Sequence, residues 1–498
     1  MTETVLVVGA GPTGLALAVC LALRGVGVRV IDGAEGPAST SRALGLQPRG
    51  AEVLERIGAL GELPQRSKAM LTINYLDGQR LLLQLPVGRA AVGLEKQALL
   101  VSQAEVEGEL RRRFAELGGK VEWSTRLIGC DQTAERVAAT VELADGTAER
   151  LDADWLVGCD GAHSVVRKLA GIGFPGRKLI ERLLMVDVEA DWPYDANGST
   201  TWMSAGSMLS VTAMPDNVWR VFSEPPPGLP EVLSEAEITS RVLEEFSRRS
   251  GTSLDTVGSV RWASEFRLHR RLADTYRRGR VFLAGDAAHI QSPSGGQGQN
   301  TGLGDAENLG WKLALVATGR ADARLLDTYE GERRPLAKKV LAATSSATDV
   351  MLPSTRWGRF LRDQVVMPIL RLRVVQRRLW LAASQLTVSY RGGPLAASSA
   401  PWSRRPRPGD RVPDLPCRRI DGTESTLHAA SGGRWVVLAK DPTPYVAALG
   451  PDLVRGLTPV GTAQSDVLLI RPDGHLAWRG RGGPEMLSAW LNQVLWPA

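Results

Sequence analysis

The residues best suited to hold a flat, phosphorylated cofactor lie in RVFLAGDAAHIQSPSGGQGQN, residues 280–300. An apolar run, VFLA, leads into Gly285 and Asp286, and a loop follows with Pro293, Gly295, Gly296, Gln297, Gly298, Gln299 and Asn300. A carboxylate at a strand end can accept hydrogen bonds from a sugar-like hydroxyl chain. Glycines let backbone N–H groups come close to a flat ring. The helical DAENLGWKLALVA comes next, and the partial positive charge at a helix start suits an anionic ring or a phosphate.

Two further segments supply the elements such a site needs. The N-terminal VLVVGAGPTGLALAVCLALRGVGVRVID reads as strand, glycine turn, helix, strand and acid. Gly9, Gly11 and Gly14 make a GxGxxG turn that also holds Pro12 and Thr13, and Asp32 follows Gly9 by 23 residues. The glycines give a tight turn, close approach of a pyrophosphate and close helix–strand packing, and the acid meets a ribose diol. The turn alone does not separate FAD from NAD. The third segment, DWLVGCDGAHSVVRKLAG, ends a strand at Cys159, turns at Asp160 and Gly161, and starts a helix at Ser164. A second literal GxGxxG, residues 171–176, follows a helix rather than a strand, so Gly171 reads as a helix C-cap.

In this order the three segments resemble the single-component aromatic flavin monooxygenases typified by para-hydroxybenzoate hydroxylase. The resemblance takes in SRALGLQPRGAEVLERIG (41–58), SQAEVEGELR (102–111) and YEGERRP (329–335). The tail LLIRPDGHLAWRG (468–480) is similar to the thioredoxin-like C-terminal domain of aromatic polyketide hydroxylases and rifampicin monooxygenases. The resemblance implies an α/β fold: a Rossmann-like, GR2-type FAD-binding domain, an inserted β-rich substrate domain and a C-terminal thioredoxin-like domain. It implies noncovalent FAD and NADPH or NADH as a transient reductant. The implied reaction hydroxylates a polycyclic, polyketide-type aromatic through a flavin C4a-hydroperoxide. The alternatives on the same scaffold are a Baeyer–Villiger or antibiotic-inactivating monooxygenase, and more distantly a non-catalytic flavoprotein.

The resemblance also distributes roles. Asp286 bonds the ribityl or pyrophosphate part of FAD, and the 293–300 loop lines the isoalloxazine. Gln299 stands where many relatives have Met, and Asp32 where Glu is more usual. Arg42 reaches the FAD phosphates or ribose, where a guanidinium fork suits such oxygens. Gln103 contacts the flavin side of the cofactor. Leu127 offers backbone contacts to the adenine, or is a core residue of an edge strand. Asp160 touches the pyrophosphate region and NADPH, or caps the Ser164 helix. His289 is expected to pack beside the flavin loop and bond the backbone there. No substrate base is assigned.

Composition sets bounds on other functions. The 498 residues are 43% hydrophobic and 23% charged, enough for real cores, with a net charge of +6. Arginine clusters read as solvated helix faces rather than a nucleic-acid surface. Cys20, Cys130, Cys159 and Cys417 form no CxxC and no metal pattern, so free thiols in a reducing cytoplasm, and no metal, are expected. Neither a signal peptide nor a membrane span is expected, and the chain is expected to act as a monomer or homodimer. The expected organisation is residues 1–174 and 276–395 for the FAD-binding domain with a helical extension, 175–275 for the substrate sheet, and 403–498 for the tail. In the middle block Trp202, Met203, Met208, Met214, Trp219 and Phe222 are candidate walls of an apolar pocket, although strand alternation turns only some of them inward.

Overall fold

The apolar run Thr4–Val8 becomes the middle of a six-stranded sheet in the structure, a computed structural model. The structure describes residues 3–38, 44–86, 96–204, 207–225, 230, 232–291, 297–351, 353, 355–397, 406–461 and 466–496, without side chains at 177–181, 204, 266–269 and 343–349. Thr4–Val8 pairs in parallel with Gly27–Ile31 on one side and Trp155–Gly158 on the other. Val281–Leu283 then pairs in parallel with Trp155–Gly158. Three sequence-distant segments therefore bring Gly9, Asp32, Cys159 and Gly285 to one edge of one sheet. Ligands of open α/β sheets bind at the carboxyl ends of the strands.

The helix Pro12–Ala22 is apolar on nearly every side and is buried accordingly. It packs against the long helix Gln297–Ala317, where Gly310 leaves room for Cys20: a Cβ there would lie 2.6 Å from the Cys20 Cβ.

An eight-stranded sheet forms the second body. Five of its strands, Gly176–Ala190, Gly198–Ser204, Ser207–Ala213, Val218–Ser223 and Val257–Leu272, come from the expected middle block. Thr72–Asp77 and Arg80–Pro86 join from earlier in the chain, and His289–Ile290 from later. The helix Glu235–Ser250 covers one face. Ser234 and Glu237 close its start as a capping box, and Gly251, at φ 74°, ends it. Ile238, Val242 and Phe246 share the buried side of that helix.

This layer corrects two of the expected pocket residues. Trp202 and Trp219 point to the helix-covered face and form a core with Trp192 and Phe246. The Trp192 and Phe246 rings lie 4.3 Å apart. Burial of large rings between sheet and helix outweighs any role as a pocket wall.

The C-terminal body is a six-stranded mixed sheet. Trp435–Leu438 pairs in parallel with Val454–Pro459 and antiparallel with Val467–Ile470. Its core is not separate from the first body. Trp435, Leu469, Trp478 and Leu491 belong to the same buried cluster as Leu17 and Leu313. Trp311 of the long helix meets Trp435 edge-on, with centroids 5.4 Å apart.

Candidate cofactor site

The three glycines of the N-terminal turn do different work. Gly9 sits at φ +106°, and a Cβ there would come within 2.5 Å of the Cys159 carbonyl oxygen. A Cβ on Gly14 would run into the Gly9 carbonyl and lie 3.2 Å from the Cys159 Cβ. Gly11 is the reverse case: a Cβ there would meet nothing within 4 Å. Two glycines are spent on packing, and the third keeps an open floor at the start of a helix. That is the arrangement a pyrophosphate requires. Pro12 occupies the first helical turn, where it removes no needed N–H. Thr13 wedges against Gly285, whose hypothetical Cβ would lie 2.5 Å from the Thr13 hydroxyl.

Asp32 is half-buried and anchored. Its carboxylate accepts the Ala10 N–H at 2.7 Å and the Ala34 N–H at 2.8 Å. Each oxygen keeps lone-pair capacity for a ribose hydroxyl. Gln103 opens its helix one residue after the Ser102 cap and donates to Glu107 at 2.8 Å. Burial, with a further push from the Asp32 charge, raises the Glu107 carboxyl above its ordinary range. Asp32, Gln103 and Glu107 thus lie near one another. Leu127 is buried in the core, which leaves only its backbone for an adenine.

Asp160 is a helix cap. Its carboxylate accepts from the Ser164 hydroxyl at 2.5 Å and from the Val165 and Val166 N–H groups at 2.6 and 3.1 Å. Burial raises its pKa, against these hydrogen bonds.

Gly285, at φ +61°, turns the chain so that Asp286 is exposed at the end of the strand. Beneath this turn lies a buried relay. The Gly285 N–H donates to Asp305 at 3.1 Å, and the His289 ring meets the same carboxylate at 2.7 Å. Arg333 donates to Asp305 at 2.6 Å and to the Tyr390 hydroxyl at 2.9 Å. Burial alone would raise the Asp305 carboxyl, but Arg333 and His289 hold it below its ordinary range. The expectation that His289 bonds backbone is therefore corrected: its partner is a carboxylate.

At the start of the long helix two of the expected cofactor residues have side chains engaged elsewhere in the protein. Gln297 is tied away from the ring, donating to the Ala383 carbonyl at 2.7 Å and accepting from Gln385 at 2.5 Å. Asn300 clamps the short strand Gly45–Leu46, donating to the Gly45 carbonyl at 3.0 Å and accepting the Gln47 N–H at 2.8 Å. Gly298 faces open space, and the Gln299 amide nitrogen is buried with no hydrogen-bond partner among the described residues. Arg42, Pro293, Gly295 and Gly296 lie outside the described residues.

A sealed ionic seam, which sequence reading missed, runs under the long helix. Arg56 pairs with Glu307 at 2.6 Å, and Lys312 with Glu332 at 2.8 Å. Arg471 joins Glu332 at 2.6 Å and Asp473 at 2.5 Å. Asp473 also accepts from Asn308 at 3.2 Å and Trp311 at 3.3 Å. The available signal was DAEN and Lys312 inside an otherwise apolar helix. Elsewhere, Glu55, Asp414 and His428 lie close enough to share an ion, but the Lys96 ammonium already pairs with both carboxylates.

The groove fits FAD: an open glycine floor, an anchored ribose acid and a second carboxylate at a strand end. FAD supplies redox chemistry and oxygen activation when bound. The protein's part is to bind, orient and exclude water.

Comparisons with known proteins agree with this geometry. An FAD-binding-domain family matches residues 2–344, and an aromatic-ring hydroxylase C-terminal family matches residues 405–498. A 6-methylpretetramide 4-monooxygenase from Streptomyces rimosus is 33% identical over 98% of this chain and 93% of its own. A rifampicin monooxygenase from Rhodococcus hoagii is 32% identical over 98% of both chains. The solved aklavinone-11 hydroxylase, in complex with FAD and aklavinone, superposes with a TM-score of 0.80 at 26% identity over 99% of both chains. The chain belongs to this FAD-binding-domain family and is an FAD-dependent aromatic hydroxylase, a flavin monooxygenase.

Proposed function

We propose that this enzyme hydroxylates a polycyclic aromatic substrate of the polyketide type, with NADPH or NADH as reductant. The observation that carries the reading is the match over both ends of the chain to enzymes named for 6-methylpretetramide and rifampicin. Gly11, Asp32, Gln103, Gly285, Asp286, Gly298 and Gln299 hold FAD noncovalently, with Asp160 fixing the turn beside them. The sequence has no second strand–GxGxxG–helix for a nicotinamide, so the reductant docks transiently.

The sheet face turned away from Glu235–Ser250 is the substrate side. Strand alternation places Met203, Met208 and Phe222 there, with Met203 closed off against Leu82, Leu83 and Met367 and the other two beside the hydroxyls of Thr201 and Ser210, which hydrogen-bond each other at 2.9 Å. Arg220 shares this face, but its guanidinium is held bidentate by Asp187 at 2.7 Å. A charge already met in this way does not serve as a clamp for a small carboxylated substrate, and this favours a large, weakly charged one. Among the described residues no helix is long and apolar enough to cross a membrane. A cytoplasmic monomer or homodimer, with a thioredoxin-like tail that carries no redox pair, completes the reading.

The test is reductant oxidation by purified enzyme against a panel of planar multi-ring phenols and simple benzoates under ¹⁸O₂. A multi-ring phenol should accelerate oxidation and gain one labelled ring hydroxyl. Label in a ring-expanded lactone would replace hydroxylation with Baeyer–Villiger chemistry. Stimulation by monocyclic acids alone would overturn the substrate class.

A further inference from the structure

The segment between the flavin domain and the tail carries an outward face that no described residue covers. Arg356–Leu361, Arg362–Val366 and Met367–Leu370 form one continuous rod, because Leu361, Arg362, Val366 and Met367 all keep right-handed helical angles. The inward side of the rod is buried in the ordinary way: Met367 packs with Leu82, Leu83 and Met203. A surface helix should then turn polar residues to water. This one turns Trp357, Leu361, Val365 and Ile369 outward, four residues apart. Trp357 is 67% exposed and stacks on the exposed Phe360, with ring centroids 5.3 Å apart. The next helix, Arg373–Ala383, continues the pattern with Val374 at 66% exposure, and Leu372 just before it is at 57%. Single exposed apolar residues need no explanation. A helical row of them does.

Charge narrows the partner. Residues 356–378 hold seven arginines and one acid, Asp363, a net charge of +6, equal to the +6 of the whole chain. Arg356, Arg371, Arg373, Arg377 and Arg378 are exposed. We propose that this face docks on an anionic lipid surface. The stacked Trp357 and Phe360 and the aliphatic row sink to the acyl boundary, and the arginines meet headgroup phosphates. A second copy fits poorly, since a two-fold contact would set these arginines against themselves. The attachment is peripheral, because no described helix is long and apolar enough to span.

The test is co-sedimentation of the FAD-loaded protein with phosphatidylcholine vesicles, with and without about one third phosphatidylglycerol. Binding is expected only with the anionic lipid, and it should weaken as salt rises. Removing one arginine should weaken partitioning about fivefold, so the double change Arg373→Ala, Arg377→Ala should cost about 25-fold. Trp357→Ser should weaken binding at every salt concentration. These side chains are exposed, so the variants should keep their circular dichroism and flavin; Leu372→Ser is the substitute where one does not. Absence of binding to anionic vesicles, or binding unchanged in these variants, would overturn the proposal. A dimer in ultracentrifugation that Trp357→Ser dissociates, without vesicle binding, would make the face a contact between copies. Equal affinity for polyglutamate, insensitive to Trp357→Ser, would make it a dock for an acidic protein.

Discussion

Gly11→Ala should separate cofactor binding from folding. A Cβ at Gly11 would meet no atom within 4 Å, and the residue has φ −73° and ψ −178°, which alanine adopts freely. The substitution gains a little from a less flexible unfolded chain and loses a few tenths as a helix cap, so apoprotein stability should change by less than about 0.5 kcal/mol. The methyl group would instead occupy the floor where a pyrophosphate approaches the helix start. Loss of one charged hydrogen bond costs about 1.5–3 kcal/mol, so FAD affinity should fall by about 10- to 150-fold. Gly14→Ala is the control. Its Cβ would strike the Gly9 carbonyl, and relief must come from moving the helix, so the apoprotein itself should lose several kcal/mol, about 2–4. The assay pairs urea unfolding of the apoproteins with FAD titration followed by flavin fluorescence quenching. Wild-type FAD affinity in Gly11→Ala, or an apoprotein as damaged as that of Gly14→Ala, would refute the assignment of the open glycine to the cofactor.

Other outcomes follow from the same geometry. Asp286→Ala should weaken FAD by about 1.5–3 kcal/mol through one lost charged hydrogen bond, read by the same titration; unchanged affinity would remove Asp286 from the site. Cys417 is buried and its thiol is pushed up to about 11, so Cys417→Ser should leave reductant turnover intact, and a large loss in a folded variant would sink the redox-silent reading of the tail. Asp473→Ala breaks a buried pair with Arg471 and strands the Trp311 N–H; urea unfolding should show a loss of about 3–5 kcal/mol, and a loss below 1 kcal/mol would count against the seam. Burial holds His475 down to about 4, against 6.5 when unfolded. Between these values only the unfolded chain takes the proton, so stability should fall by about 3 kcal/mol as pH drops from 6.5 to 4. His475→Phe, which keeps a ring beside Tyr390, should flatten that slope in urea midpoints; parallel curves for variant and wild type would show that His475 is not the group.

The cofactor groove was legible because its physics is local. A glycine turn between strand and helix, an acid one strand later and a Gly-Asp strand end each announce themselves within about 30 residues of sequence. What stayed hidden depends on pairings that no local pattern encodes. Strand alternation told that Trp202 and Met203 face opposite ways, but not which face the helix Glu235–Ser250 would cover. Gln297 and Asn300 sit in a cofactor motif, yet their side chains serve Ala383 and Gly45, partners 86 and 255 residues away. In the sequence Asp160 is open between cofactor and cap; only the fold shows its carboxylate accepting three hydrogen bonds at the start of the Ser164 helix. Residues 72–77 fall in the expected FAD-binding span 1–174, and only the parallel register of Thr72–Asp77 with Gly198–Ser204 makes them part of the eight-stranded sheet.

The buried seam explains why the tail is part of this enzyme rather than an appendage. Arg49, Arg56, Arg411, Arg471 and Lys312 face Glu52, Glu307, Glu332 and Asp473, nearly all sealed from water. Burial pulls the Lys312 ammonium down to about 8, against the pull of Glu332. Such a seam adds little net stability, since well-packed apolar side chains would do as well. What it adds is register. An apolar face tolerates sliding, whereas Arg471 must meet Glu332 and Asp473 at once and leaves charges stranded when it does not. Glu332 lies beside Arg333, which holds Asp305 under Gly285. The turn at residues 471–475 therefore sits three hydrogen-bonded contacts from the strand end that carries Asp286. Fixing the tail fixes the long helix, and through Asp305 that helix fixes the turn that carries Asp286.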